Sequence, residues 1–366
     1  MGTPRARLAL LALIGLAQFG LFEAGLRIAG GSEAGLEFQR LFIPDPVIGY
    51  RLRPSTSIRF TTREFSTRVS INAQGVRDDP IGPRPPDERR IVVLGDSLVM
   101  AVQVPVEQTF CRVLQDRLNR QAPAGVRYRV IDAGVQGYGP DEEALFYEQV
   151  ASRFDPQLVL VVTFVANDAV EAAGAAFRLR GELTSPRAVR ERFRDRLRRV
   201  VRRSMVLQIV AQRIGQVRER FRGAEAARPD PRLLTYATPL PADVEHGLAV
   251  SREAIGRIAA DAASTGARTA VVLMPARFQL DVDEYERLRA VVEPAGYRMA
   301  MDGATDRFRT ALAPLGLPML DLLPAFRRSA DPQAIFFDST VHLTPEGHRV
   351  AADALDAFLA ASGLVP

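Results

Sequence analysis

At 366 residues, with 47% hydrophobic side chains, the chain is long enough for one catalytic domain plus additions and can bury a sizeable core. Its 48 basic residues, all arginine, stand against 43 acidic ones for a formal charge of +5, which reads as compositional bias more than as a binding signal. The single cysteine, Cys111, excludes an intramolecular disulfide framework and a thiolate metal cluster. Its spacing to Leu114 and Leu118 puts it on a packed helix face.

In chain order, Arg5 and Arg7 precede an apolar run that begins at Leu8. Positive charge ahead of an apolar segment favours an N-terminus in the cytoplasm and a body outside it. Residues 1–29 therefore read as an uncleaved inner-membrane anchor, although a span must take in Gln18, Glu23 and Arg27 to reach full length. The competing reading is a cleaved signal peptide, since Gly15-Leu16-Ala17 offers small residues for cleavage. Residues 30–89 read as a β-rich extension and linker, because Arg68 to Asn72 alternates polar with apolar residues and Gln74-Gly75 supplies a turn.

Residues 90–366 alternate strands with helices. Ile91 to Leu94 is apolar without alternation, the pattern of a strand covered on both faces, and it breaks into Gly95-Asp96-Ser97. A helix is predicted from about Glu107 to Asn119, a second strand in RYRVIDAG, a helix from Asp141 to Phe154 and a third strand in LVLVVTF. RTAVVLMP and LPMLDLL supply a fourth and a fifth strand, and Thr344-Pro345 opens a closing helix. This alternation implies a mainly parallel sheet in a three-layer α/β/α architecture. An arginine-rich insertion interrupts it at 169–238, where Val189, Phe193, Leu197 and Val200 form an apolar stripe. That stripe suits either a helix covering the sheet or one lying on an anionic membrane, and nothing in it points to nucleic acid.

Working groups in open α/β sheets lie beyond the carboxyl ends of the strands, where Ser97 stands as a nucleophile or, more simply, as a capping serine. A serine nucleophile needs a base, and the chain has three histidines. His246 opens a helix far from any strand end, and His348 lies within the closing helix; His342, on the loop before that helix, is the better base. Asp338, four residues upstream, could receive its other ring N–H. Gly137 and Asn167, at the ends of the second and third strands, could join the Ser97 N–H as oxyanion donors.

These blocks resemble the SGNH/GDSL hydrolases. GDSL from Gly95 to Leu98 matches the first block, Gly137 the second, Asn167-Asp168 the third, and Asp338 with His342 the last. Two details depart from the family pattern: Val165-Ala166 stands where a glycine usually precedes Asn-Asp, and three residues instead of two separate Asp338 from His342. The stretch DPVIGYRLRP with INAQGVRD looks like the lead-in of membrane-anchored bacterial members linked to cell-surface glycans. The resemblance implies a flavodoxin-like sheet and a serine esterase or O-acyltransferase with catalytic Ser97, His342 and Asp338. Its oxyanion donors would be Ser97, Gly137 and Asn167, with no metal or cofactor required. Acyl esters of an envelope polysaccharide are the expected substrate, with lipid or small esters, or non-catalytic glycan binding, as alternatives.

Overall fold

The computed structural model describes Gln18, residues 37–172 and residues 229–365, and the backbone of 177–179 and 182–184. The chain divides into two units, one of Arg40–Ala188 with Arg228–Pro366 and the other of Met1–Gln39 with Val189–Ala227. Apart from Gln18 and residues 37–39, the second unit lies outside the described residues, as do the expected anchor over 1–29 and the arginine-rich stripe from Val189 to Val200. No helix among the described residues is long and apolar enough to cross a membrane.

The larger unit begins with two antiparallel hairpins. Strands β1 (Phe42–Asp45) and β2 (Gly49–Leu52) form the first, and β3 (Thr56–Thr61) and β4 (Ser66–Ile71) the second. In β4 exposed and buried residues alternate strictly, with Thr67, Val69 and Ile71 turned inward, as the polar/apolar pattern of that stretch dictates.

A five-stranded sheet follows, built from β5 (Glu88–Gly95), β6 (Arg127–Gly134), β7 (Leu158–Phe164), β8 (Arg268–Met274) and β9 (Met319–Asp321). All pairings in it are parallel, in the spatial order β9-β8-β7-β5-β6, which is the flavodoxin-like arrangement. Every residue of β7 is buried, so helices must cover both faces of the sheet. Helices α2 (Phe110–Gln121) and α8 (Pro345–Ala361) pack together in one layer. Helices α3 (Pro140–Gln149), α4 (Asp168–Ala172), α5 (Ala242–Ser264) and α7 (Gly303–Leu312) make the other. Between α5 and α7 runs α6 (Val282–Val292), and α1 is the single turn Ser97–Met100.

Several boundaries differ from those predicted. The helix expected from Glu107 starts at Phe110, because Thr109 caps it with its hydroxyl accepting the Arg112 N–H at 3.3 Å. The helix expected to reach Phe154 stops at Gln149 and passes into a 3-10 turn over Ala151–Phe154. Within the insertion, 177–179 and 182–184 pair as antiparallel strands. The closing helix starts where Thr344 and Pro345 predict, with the Thr344 hydroxyl accepting the Gly347 N–H at 3.2 Å. Cys111 is buried on α2 beside Leu114 and Leu118.

Candidate active site

The register brings the carboxyl ends of the central strands to one rim: Gly95 lies opposite Gly134, Leu94 opposite Val161, and Phe164 opposite Met274. Ser97 follows β5, Gly137 follows β6 and Asn167 follows β7, so the three leave adjacent strands with Ser97 in the middle. Asp96 caps α1, its carboxylate accepting the Leu98 N–H at 2.8 Å and the Asn167 side-chain amide at 3.3 Å. That second bond ties the end of β5 to the end of β7.

Glycines bring α1 down onto the strand ends. A Cβ on Gly134 would run into the backbone of Val99 and Met100, so only glycine admits the turn that carries Ser97 at this distance. Gly137 has a left-handed φ of 73°, and a Cβ there would lie 3.1 Å from the Tyr50 hydroxyl. Tyr50 donates that hydroxyl to the Gln136 carbonyl at 2.8 Å, and Tyr138 donates its own to the Tyr50 carbonyl at 2.5 Å. The Gly137 loop is thus held from β2.

Beneath Asn167 and Asp96 lies a group of buried acids. Burial raises Asp96 to about 6, against the Leu98 N–H and the Asn167 amide, which favour its charged form. Burial, and then the charges of neighbouring carboxylates, push Glu143 and Asp168 well above the usual carboxylate range. Both carboxyl oxygens of Glu143 lack a hydrogen-bond partner among the described residues, a setting that favours its neutral form.

His342 sits at the base of a loop closed by a β-bridge between Phe336 and Leu343 and by a Phe337 N–H to His342 carbonyl bond of 3.0 Å, with Asp338 to Thr340 at its tip. Arg277, just past β8, donates its guanidinium to the carbonyls of Phe337 and Asp338 while paired with Glu284 at 2.7 Å. Burial lowers the His342 imidazole to about 4, so it is neutral at pH 7. Its Nε2 is buried with no hydrogen-bond partner among the described residues, so Ser97 and His342 are not hydrogen-bonded here.

The expected Asp338–His342 pair does not form. Nδ1 of His342 lies 3.1 Å from the Thr340 hydroxyl, which also accepts the His342 backbone N–H at 3.1 Å. The three-residue spacer explains this: it places Thr340 two residues before the histidine, where one hydroxyl meets both ring and backbone, while the Asp338 carbonyl turns toward Arg277. Asp338 is exposed, and its carboxylate makes no hydrogen bond among the described residues.

The other histidines behave as ordinary structure. His246 is exposed on α5, and His348 is buried in α8, where Nδ1 accepts the Phe110 N–H at 3.2 Å. Sequence reasoning missed Thr340, Arg77 and Glu64. Arg77, fully buried, donates to the carbonyls of Met100, Ala101 and Val104 at 2.7, 2.5 and 2.6 Å and so holds the turn that leaves α1. Its position in INAQGVRD, a polar stretch leading into the catalytic domain, was the available signal.

The chain matches the family model of the GDSL-like lipase/acylhydrolases over residues 93–350. Among solved structures it is similar to TesA, at 13% identity over 74% of this chain and 98% of that one, with a TM-score of 0.41. A catalytic mutant of Axe2, an acetylxylan esterase from Geobacillus stearothermophilus, matches at 12% identity over 74% and 94%, with a TM-score of 0.40. The lipase/acylhydrolase from Enterococcus faecalis matches at 12% identity over 75% and 96%, also with a TM-score of 0.40. Comparison with curated proteins finds no match. With GDSL standing at the end of β5 and the match spanning most of the α/β unit, the chain belongs to the GDSL-like lipase/acylhydrolase family and is a serine hydrolase of ester bonds.

Proposed function

We propose that Ser97 is the nucleophile of an esterase or O-acyltransferase acting on acyl esters, acetyl foremost, of a cell-envelope or exported polysaccharide. The observation that carries the nucleophile assignment is the placement of Ser97 past the middle one of three adjacent parallel strands, with Gly137 and Asn167 past its two neighbours. The polysaccharide rests on the resemblance of the lead-in around DPVIGYRLRP to anchored envelope members, and the extracytoplasmic location on Arg5, Arg7 and the apolar run that follows them.

In this reading Ser97 Oγ attacks the ester carbonyl carbon and gives its proton to His342 Nε2. With the Nδ1 proton donated to Thr340 Oγ1, Nε2 carries the free lone pair the step requires. The Ser97 N–H, the Gly137 N–H and the second amide hydrogen of Asn167 take up the charge on the carbonyl oxygen. The ester C–O bond breaks, and His342 returns the proton to the departing alcohol. Water or a sugar hydroxyl then releases the acyl group from Ser97 by the same route in reverse.

The test is intact mass of the full chain after exposure to a fluorophosphonate, alongside Ser97→Ala and His342→Ala. Mass addition to the wild type that both substitutions abolish is the expected result. A folded wild type that takes up no phosphonate overturns the assignment of Ser97 as an activated nucleophile.

A further inference from the structure

The tip of the β3–β4 hairpin, 274 residues from the loop that carries His342, meets that loop directly. The Glu64 carboxylate accepts the backbone N–H of Asp338 at 3.2 Å and of Ser339 at 3.3 Å, and it accepts the Ser339 hydroxyl as well. Beside it, the Phe65 ring packs on Phe337 with centroids 5.5 Å apart. On the other side of the same peptide units, Arg277 takes the carbonyls of Phe337 and Asp338. An anion on the N–H groups and a cation on the C=O groups fix the orientation of those peptide planes, since each charge sits at the end of the peptide dipole that suits it. The hairpin also reaches the nucleophile side: the Thr67 hydroxyl donates to the Gln103 carbonyl at 2.9 Å, and Arg77, further along the extension, holds Met100, Ala101 and Val104.

We propose that the β3–β4 hairpin sets the position of His342 relative to Ser97, and that Glu64 is the positioning residue through which it does so. The proposal rests on the reading of His342 as the base. A loop one residue longer than the family pattern needs an external support to keep its tip, and with it the Thr340 hydroxyl that meets the His342 ring, in place. Glu64 supplies that support from a hairpin outside the central sheet. Displacing a reacting group by about 1 Å can cost on the order of 100-fold in rate, so a support of this kind acts on kcat more than on binding.

The experiment compares Glu64→Ala and Glu64→Gln with the wild-type full chain, measuring kcat and KM for p-nitrophenyl acetate, melting temperature, and amide hydrogen exchange over 338–342. Glu64→Ala is expected to lower kcat on the order of 10- to 100-fold with KM within about twofold. The melting temperature stays unchanged and the amides of Asp338 and Ser339 exchange faster. Glu64→Gln keeps a carbonyl oxygen for those amides and recovers most of the lost kcat. Faster exchange with an unchanged kcat overturns the proposal, as does a loss that follows the melting temperature and is no smaller in Glu64→Gln. His342→Ala separates the two readings: activity lost there but kept in Glu64→Ala overturns this proposal alone, whereas activity kept in His342→Ala overturns the base assignment and this proposal with it.

Discussion

Around Ser97 the backbone does the holding. The residue leaves a strand flanked on both sides by parallel neighbours, its turn rests on glycines that permit no side chain, and Asp96 and Arg77 hold the Leu98 N–H and the carbonyls of Met100, Ala101 and Val104 from buried positions. Around His342 the holding is done by side chains from elsewhere: Thr340 from the same loop, Arg277 from the end of β8, and Glu64 from a hairpin outside the sheet. One half of the site is inherited from the fold and the other is assembled on it. The difference predicts that substitutions near Ser97 act through chemistry or global stability, and that those near His342 act through geometry.

The largest effect falls on Ser97→Ala, which is expected to lower ester hydrolysis by on the order of 10⁴-fold or more with an unchanged melting temperature, since a hydroxyl is all that is lost. Next is Arg77→Met, which strands the buried carbonyls of Met100 and Val104, leaves Ala101 only the Val104 N–H, and should cost about 3 kcal/mol in urea unfolding. A fall in activity without a fall in stability would move Arg77 to the geometric half. Thr340→Val removes the partner of the His342 ring and is expected to reduce kcat roughly tenfold at constant KM.

The pH profile separates the halves further. Asp96, raised to about 6, gains a proton on acidification well before His342, lowered to about 4, does. Protonation removes the carboxylate that accepts from Asn167, so kcat/KM should fall as pH drops through about 6, and Asp96→Asn should shift that limb toward 4. The smallest effect is Asp338→Asn, expected to leave kcat within about twofold, because the ring is not its partner. A drop of about 100-fold would restore Asp338 as the orienting acid and demote Thr340.

How far each half was legible in the sequence follows the same division. The apolar runs of β5, β7 and β8 and the breaks after them declare a buried parallel sheet and its working rim, because burial on both faces leaves no polar alternation. Ser97, Gly137 and Asn167 were therefore visible at strand ends. The role of Ser97 in the reaction is for the labelling experiment. The choice between Asp338 and Thr340 was not visible, since it turns on how a three-residue spacer folds back on itself. Glu64 carries no motif: it is an exposed acid in a hairpin turn, and only the tertiary path brings it to Ser339. The helix start at Pro345 shows the opposite case, in which the local Thr344 cap settles the boundary, while the Thr109 cap before Phe110 was overlooked in favour of a start at about Glu107.

The long reach between Glu64 and Ser339 also bears on when the enzyme comes alive during synthesis. The hairpin, β5 and the Ser97 turn are made early, and β6 and β7 can pair with β5 as they emerge. The clamp on His342 closes only after β8, β9 and the loop from Phe336 to Leu343 have joined, so a nascent chain bears its hydroxyl long before it bears a seated imidazole. With His342 as the proposed base, hydrolytic power would arrive in one late step, after the scaffold that must contain it.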